Sequence, residues 1–209
     1  MCPGVEPSRR VDVVRAGFEG DEESARSSLF AADPRERALA LSALVRMGRA
    51  TGADVAAGLA DADPVVRRRS LQLLPRAGLA PDDQPDLLAH LPDPDDRVTE
   101  MAAFAAGELV DVEPEVVAAV AALATTHHDA LCRESAVAAL GAIGDPAGLP
   151  AVLDATSDRA NVRRRAALAL AAFEGDEVEA ALGRLVTDRD LQVRQAAEDL
   201  LAVTDGTEL

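Results

Sequence analysis

The chain has 209 residues, of which 48% are hydrophobic, only 2% aromatic and none lysine; 37 acidic residues against 21 arginines set a formal net charge of -16. That much apolar material supports a buried core and excludes a solvating tail, while the charge repels polyanions and anionic membrane surfaces, so neither nucleic acid nor membrane is an expected partner. Two cysteines, Cys2 and Cys132, are too few for a disulfide framework, and no apolar run has the length of a signal core or a membrane span, so the expected location is cytoplasmic.

Residues 1–8 are expected to form a flexible N-terminus. The stretch "RRVDVVRAGFEGDEESARSSLF", 9 to 30, reads as a degenerate helical pair within a capping segment 9–32, as terminal repeats usually are. From residue 33 a pattern sets in: an anchor, an arginine beside it, a small residue four positions on and further core positions eight and eleven on. It runs through Glu36, Ala40, Leu44, Met47; Val66, Ser70, Leu74, Ala77; Val98, Ala102, Ala106, Leu109; Cys132, Ala136, Leu140, Ile143; Val162, Ala166, Leu170, Phe173; and Val193, Ala197, Leu201. The phase is helical. The six anchors are 30, 32, 34, 30 and 31 residues apart, the spacing of a solenoid repeat.

Between these first helices lie segments that predict a second one each: "TGADVAAGLA", "QPDLLAHL", "PEVVAAVAAL", "GLPAVLDAT" and "DEVEAALGRLV". Asp33-Pro34 and Asp63-Pro64 place an N-cap acid before a proline at the first helical position, with Glu36 set for a capping box. Gly48, Gly78, Gly144 and Gly175 mark the helix ends, where a left-handed cap is expected. Two short helices cannot bury their faces alone, so neighbouring pairs must stack. The expectation is one domain over 9–203 with six units in 33–203, followed by a flexible 204–209.

The segment "LCRESAVAALGAIGDPAGLPAVLDAT", with its apolar-Arg anchor, Ala-Leu-Gly helix end and Asp-Pro then Leu-Pro second helix, resembles the HEAT repeat family in its short bacterial form, also found in phycobilisome-lyase-like proteins. The resemblance implies an all-α fold, a right-handed α-solenoid of stacked antiparallel helix pairs whose second helices line the concave face. It also implies that the arginine after each anchor, Arg37, Arg67, Arg133, Arg163 and Arg194 (Thr99 being the exception), forms a structural ladder with acids between repeats, with Asp63, Asp93 and Asp158 as partners. The extra arginines Arg68, Arg69, Arg164 and Arg165 fan around their helices and so make a solvated face, not a phosphate-binding patch.

Taking the apolar stripe away from each second helix leaves Asp54, Asp86, His90, Glu115 with Ala118, Asp154 with Ala151, Glu177 and Arg184 facing outward. They suggest an acidic, alanine-lined groove for a protein or peptide with a basic segment. The function expected is a non-catalytic interaction scaffold; the alternative is a bilin-lyase-like subunit acting on a tetrapyrrole-protein. Self-association through the terminal repeats is a third possibility. No cofactor is expected. His127-His128-Asp129 is the one cluster with metal-ligand chemistry, but three adjacent ligands strain a tetrahedral site and Asp129 is placed to cap a helix, so no metal site is assigned. Diiron HEAT-repeat hydroxylases carry His-Glu dipeptides, and this sequence has none. Cys132 fills an anchor slot and reads as an inert core thiol; Cys2 reads as reactive by exposure.

Overall fold

The computed structural model describes residues 9–204, and every regular element among them is helical. Cys2 and the segments 1–8 and 205–209 lie outside the described residues. The helices fall into two units, Met1–Asp86 and Leu87–Leu209. Each unit is a stack of helix pairs of the α-solenoid kind.

The first unit holds α1 (Arg9–Glu19), α2 (Glu22–Ser28), α3 (Pro34–Met47), α4 (Gly52–Leu59) and α5 (Pro64–Leu73). Helix α1 packs on α3 and α3 on α5, with α2 and α4 alongside. The second unit holds α6 (Asp96–Glu108), α7 (Pro114–Thr126), α8 (Ala130–Ile143), α9 (Leu149–Ala155), α10 (Ala160–Ala169), α11 (Asp176–Leu185) and α12 (Leu191–Thr204). Here α6, α8, α10 and α12 pack in succession, and α7 packs mainly on α8, the first helix of the next pair. Each anchor therefore sits on its own first helix. Val66, Val98, Cys132, Val162 and Val193 are buried, as are the small residues Ala40, Ser70, Ala102, Ala136, Ala166 and Ala197 four positions on.

Small residues set how closely the first helices approach. A Cβ added at Gly141 of α8 would lie 2.7 Å from both Cα and Cβ of Ala169 on α10; one at Gly107 of α6 would lie 2.9 Å from Cα of Ala139 on α8. In the first unit Gly17 of α1 meets Cβ of Ala43 on α3 at 2.8 Å by the same measure. The backbones are thus in direct contact, which a chain poor in aromatics and rich in alanine permits.

The turn chemistry is mostly as the residues dictate. Asp33 and Asp63 cap α3 and α5 ahead of their prolines, and Gly48 and Gly144 close α3 and α8 in the left-handed conformation. Three expectations need correction. Gly175 closes no helix in the left-handed conformation; with φ 117° and ψ 166° it is the residue that leads into α11. No capping box involves Glu36; the box that forms is at α4, where Thr51 and Asp54 exchange side-chain and backbone hydrogen bonds. And "QPDLLAHL" makes no α-helix: it contributes only a 3₁₀ turn at Leu88–His90. Pro85 and Pro92 leave only six residues between them, and Pro92 has no amide to donate back to Leu88 while its ring crowds that carbonyl, so the single turn stops at Leu91. Leu87 and Leu91 are buried all the same.

Candidate functional site

In the second unit the second helices α7, α9 and α11 bury one stripe each: Val116, Val117 and Val120 on α7, Val152 and Ala155 on α9, Val178, Ala181 and Leu182 on α11. Away from those stripes Glu115, Ala118, Asp154, Glu177 and Arg184 are exposed. Ala151 is not; it is only 6% exposed and belongs to the packed side of α9. No ion pair involving Glu115, Asp154, Glu177 or Arg184 occurs among the described residues. In the first unit Asp54 is half-buried and engaged, accepting from the Thr51 amide at 2.9 Å and from Arg26 at 3.2 Å. Burial alone would raise its carboxyl, but the Thr51 amide and hydroxyl together with Arg26 hold it below the ordinary value. Asp86 is exposed in the first unit, and His90 is half-buried in the 3₁₀ turn of the second.

The arginines beside the anchors reach in two directions. Arg163 donates to both carboxylate oxygens of Asp188 at 2.8 and 2.7 Å, and Arg133 to both of Asp158 at 2.6 and 2.8 Å. Arg37 does the same to Asp61 at 2.7 Å through Nε and through Nη2; Asp61 receives it and not Asp63, whose side chain is the cap of α5. Each guanidinium also turns back to the carbonyls just before its own helix: Arg67 to Asp61 and Ala62, Arg133 to His127 and His128, Arg163 to Asp158, Arg194 to Asp188. One aspartate per turn is therefore a node, taking the preceding arginine on its carboxylate and the following one on its carbonyl. Of the extra arginines, Arg69 donates to Gln72, Arg165 lies 3.6 Å from Glu134, and Arg68 and Arg164 are exposed.

The bidentate guanidinium is the first cause that holds Asp61, Asp158 and Asp188 below the ordinary carboxylate value. A carboxyl depressed in the folded state contributes stability that is complete above its unfolded value, near ~3.9, and is lost as pH falls through the folded one. Denaturant unfolding of an Asp158→Asn variant should therefore show a deficit from wild type that is constant between about pH 5 and 7 and narrows below about pH 4. A deficit independent of pH across that range would show that the carboxylate's charge contributes nothing.

One place breaks the ladder. Thr99 stands where the other first helices carry arginine, and its hydroxyl donates to the Asp93 carbonyl at 3.1 Å, doing the backward half of the arginine's work alone. The node position facing it across the next pair, six residues before Arg133, is His127 and not aspartate. Between α6 and α8 the Arg–Asp rung is thus missing at both ends. In its place Asp96, at the start of α6, brings Oδ2 to 3.2 Å from His128 Nε2 and Oδ1 to 3.8 Å from His127 Nε2. Asp129 does cap α8, accepting from the amides of Leu131 and Cys132, and its own amide donates to His127 Nδ1 at 3.2 Å. The Cys132 thiol is buried and donates to the Asp96 carbonyl at 3.2 Å. Burial first, then the nearby Asp129 and Asp96, pushes it up to about 12, so it is no nucleophile near neutral pH.

Residues 84–160 match the family model described as HEAT repeats. No curated protein matches the sequence. Among solved structures, the Escherichia coli protein YIBA_ECOLI aligns with TM-score 0.69 and 15% identity, covering 97% of this chain and 78% of that one. A designed armadillo repeat protein, YIII(Dq)4CqI, aligns with TM-score 0.56 and 16% identity over 85% of this chain and 97% of its own. Human deoxyhypusine hydroxylase in complex with glycerol aligns with TM-score 0.50 and 19% identity, covering 97% and 82%. At such identities the likeness establishes the fold alone.

Proposed function

From a chain that carries HEAT repeats on an α-solenoid fold, we propose a non-catalytic scaffold that binds a partner protein through a basic segment on the face of its second helices. The observation that supports this most is the contrast between two sets of charges. The acids of the ladder are each held by arginine, whereas Glu115, Asp154 and Glu177 stand exposed on three successive second helices with no ion pair among the described residues. With Ala118 beside them they offer a low-relief acidic surface, which accepts a helix or extended segment bearing arginine or lysine. Asp54, already occupied by Arg26 and Thr51, contributes structure to that reading and not affinity. Nothing among the described residues supports the bilin-lyase-like alternative.

The test is affinity capture from a lysate at low and moderate salt, with the captured protein identified and then titrated against a Glu115→Lys/Asp154→Lys/Glu177→Lys triple variant. Capture that weakens as salt rises and falls at least tenfold in the variant is expected, because long-range attraction between exposed charges is screened. Equal binding by the variant would move the site away from these helices, and a coloured eluate would revive the tetrapyrrole alternative.

A further inference from the structure

We propose that Asp96, His127 and His128 bind a zinc-like divalent cation, which takes over the link between α6 and α8 that the missing Arg–Asp rung supplies elsewhere. The donor set is two imidazoles and one carboxylate, the chemistry that selects zinc and its borderline neighbours over magnesium or calcium, which prefer all-oxygen shells. The three ligand atoms lie within 4.8 Å of one another. Ligands of a tetrahedral ion held at about 2.0–2.1 Å are about 3.3 Å apart; Asp96 Oδ2 already lies 3.2 Å from His128 Nε2, and Oδ1 lies 3.8 Å from His127 Nε2, so a small turn of the carboxylate presents one oxygen to both rings. His128, with its side chain 77% exposed, is free to close the remaining distance, and the open side leaves the fourth position to water.

The backbone under these ligands is held on every side. Arg133 donates to the carbonyls of His127 and His128 at 2.7 and 3.1 Å, Asp129 caps α8, and the Cys132 thiol and the Ser135 hydroxyl tie α8 to the carbonyls of Asp96 and Glu100. Such outer contacts orient metal ligands elsewhere too. One contact must yield. The Asp129 amide donates to Nδ1 of His127, which places the proton of the neutral ring on Nε2. Ligation through Nε2 moves that proton to Nδ1, and the amide must turn from it. The long 3.2 Å bond is the one that loading exchanges for a metal bond. Proximity of two histidines in a turn does not by itself make a site; here the carboxylate comes from the start of another helix, α6, and the cluster occupies a rung that both partners of the ladder have left.

Zinc chloride titrated into the untagged chain by calorimetry should show one equivalent that is tighter than the diffuse background of 37 acidic residues. Asp96→Asn and His128→Ala should each weaken that equivalent at least tenfold, and the pair together should leave only the background. Uptake should fall as pH drops, since the imidazoles must be neutral to bind. In wild type, the ring signals of His127 and His128 should move on zinc addition while those of His90 stay, a readout that does not depend on any variant folding. Equal zinc binding by the double variant, or movement of all three histidines together, overturns the proposal.

Discussion

Replacing Arg163 by alanine is expected to destabilise the second unit by about 3–5 kcal/mol, the cost of leaving one member of a buried ion pair without the other. The Arg163 side chain is 7% exposed and that of Asp188 12%, and the loss strips the carboxylate of two hydrogen bonds and the Asp158 carbonyl of a third. An Arg163→Met change, which keeps the aliphatic bulk, should recover little of this, because the deficit comes from the orphaned acceptors. Arg163→Met/Asp188→Leu should recover much more, since an apolar pair leaves no carboxylate to desolvate. The control is Arg97, which pairs with Asp95 at the surface with its side chain 66% exposed; Arg97→Ala should change stability by less than about 1 kcal/mol. Denaturant midpoints of the four variants decide the matter, and similar losses for Arg163→Ala and Arg97→Ala would sink the reading of the ladder as structural.

The second large effect expected is at Gly141. A leucine there should cost about 3 kcal/mol, at the upper end for an overpacked core, because its first side-chain carbon already meets the backbone of Ala169. Relief requires α8 and α10 to separate, which would also stretch the Arg133–Asp158 bridge that spans the same two pairs. Gly141→Ala should cost less, since alanine's better helix propensity returns about 1 kcal/mol. At Gly183 of α11, where an added Cβ meets nothing within 4 Å, the same change to alanine should stabilise. Thermal unfolding of the three variants checks the order; a Gly141→Leu protein as stable as wild type would mean that the close approach of the first helices is not needed.

The periodicity that runs through Val98, Cys132, Val162 and Val193 was enough to place the first helices, because burial of one residue per turn leaves a regular helical trace and its return every 30 to 34 residues marks a repeat. Asp33-Pro34 and Asp63-Pro64 were legible for a similar reason: a cap and a proline act locally. What escaped was non-local. The nodes Asp61 and Asp188 resemble any turn acid in a chain with 37 carboxylates, and only the fold shows that each sits one pair beyond its arginine. Asp96 lies 31 residues before His127, so no inspection of the His127-His128-Asp129 cluster could include it. The segment around Leu87 and Leu91 failed in the opposite sense: its apolar spacing is helical, but its prolines set the backbone. For the exposed acids the spacing located Asp154 as outward and misjudged Ala151, since a small residue on a short helix carries no hydrophobic signal for either side.

The node has a bearing on how such a chain changes length. Because Asp158 and Asp188 each accept the arginine before them on the carboxylate and the arginine after them on the carbonyl, a unit cut from one node to the next carries its own donor and its own acceptor. Excising the stretch from Asp158 to the residue before Asp188 brings Arg133 opposite Asp188, with the same chemistry on both sides of the join. Duplication of that stretch does likewise. A genetic event that drops or copies one unit in phase leaves no orphaned charge, so the array can be lengthened or shortened in single steps, whereas a cut out of phase strands an arginine at each edge.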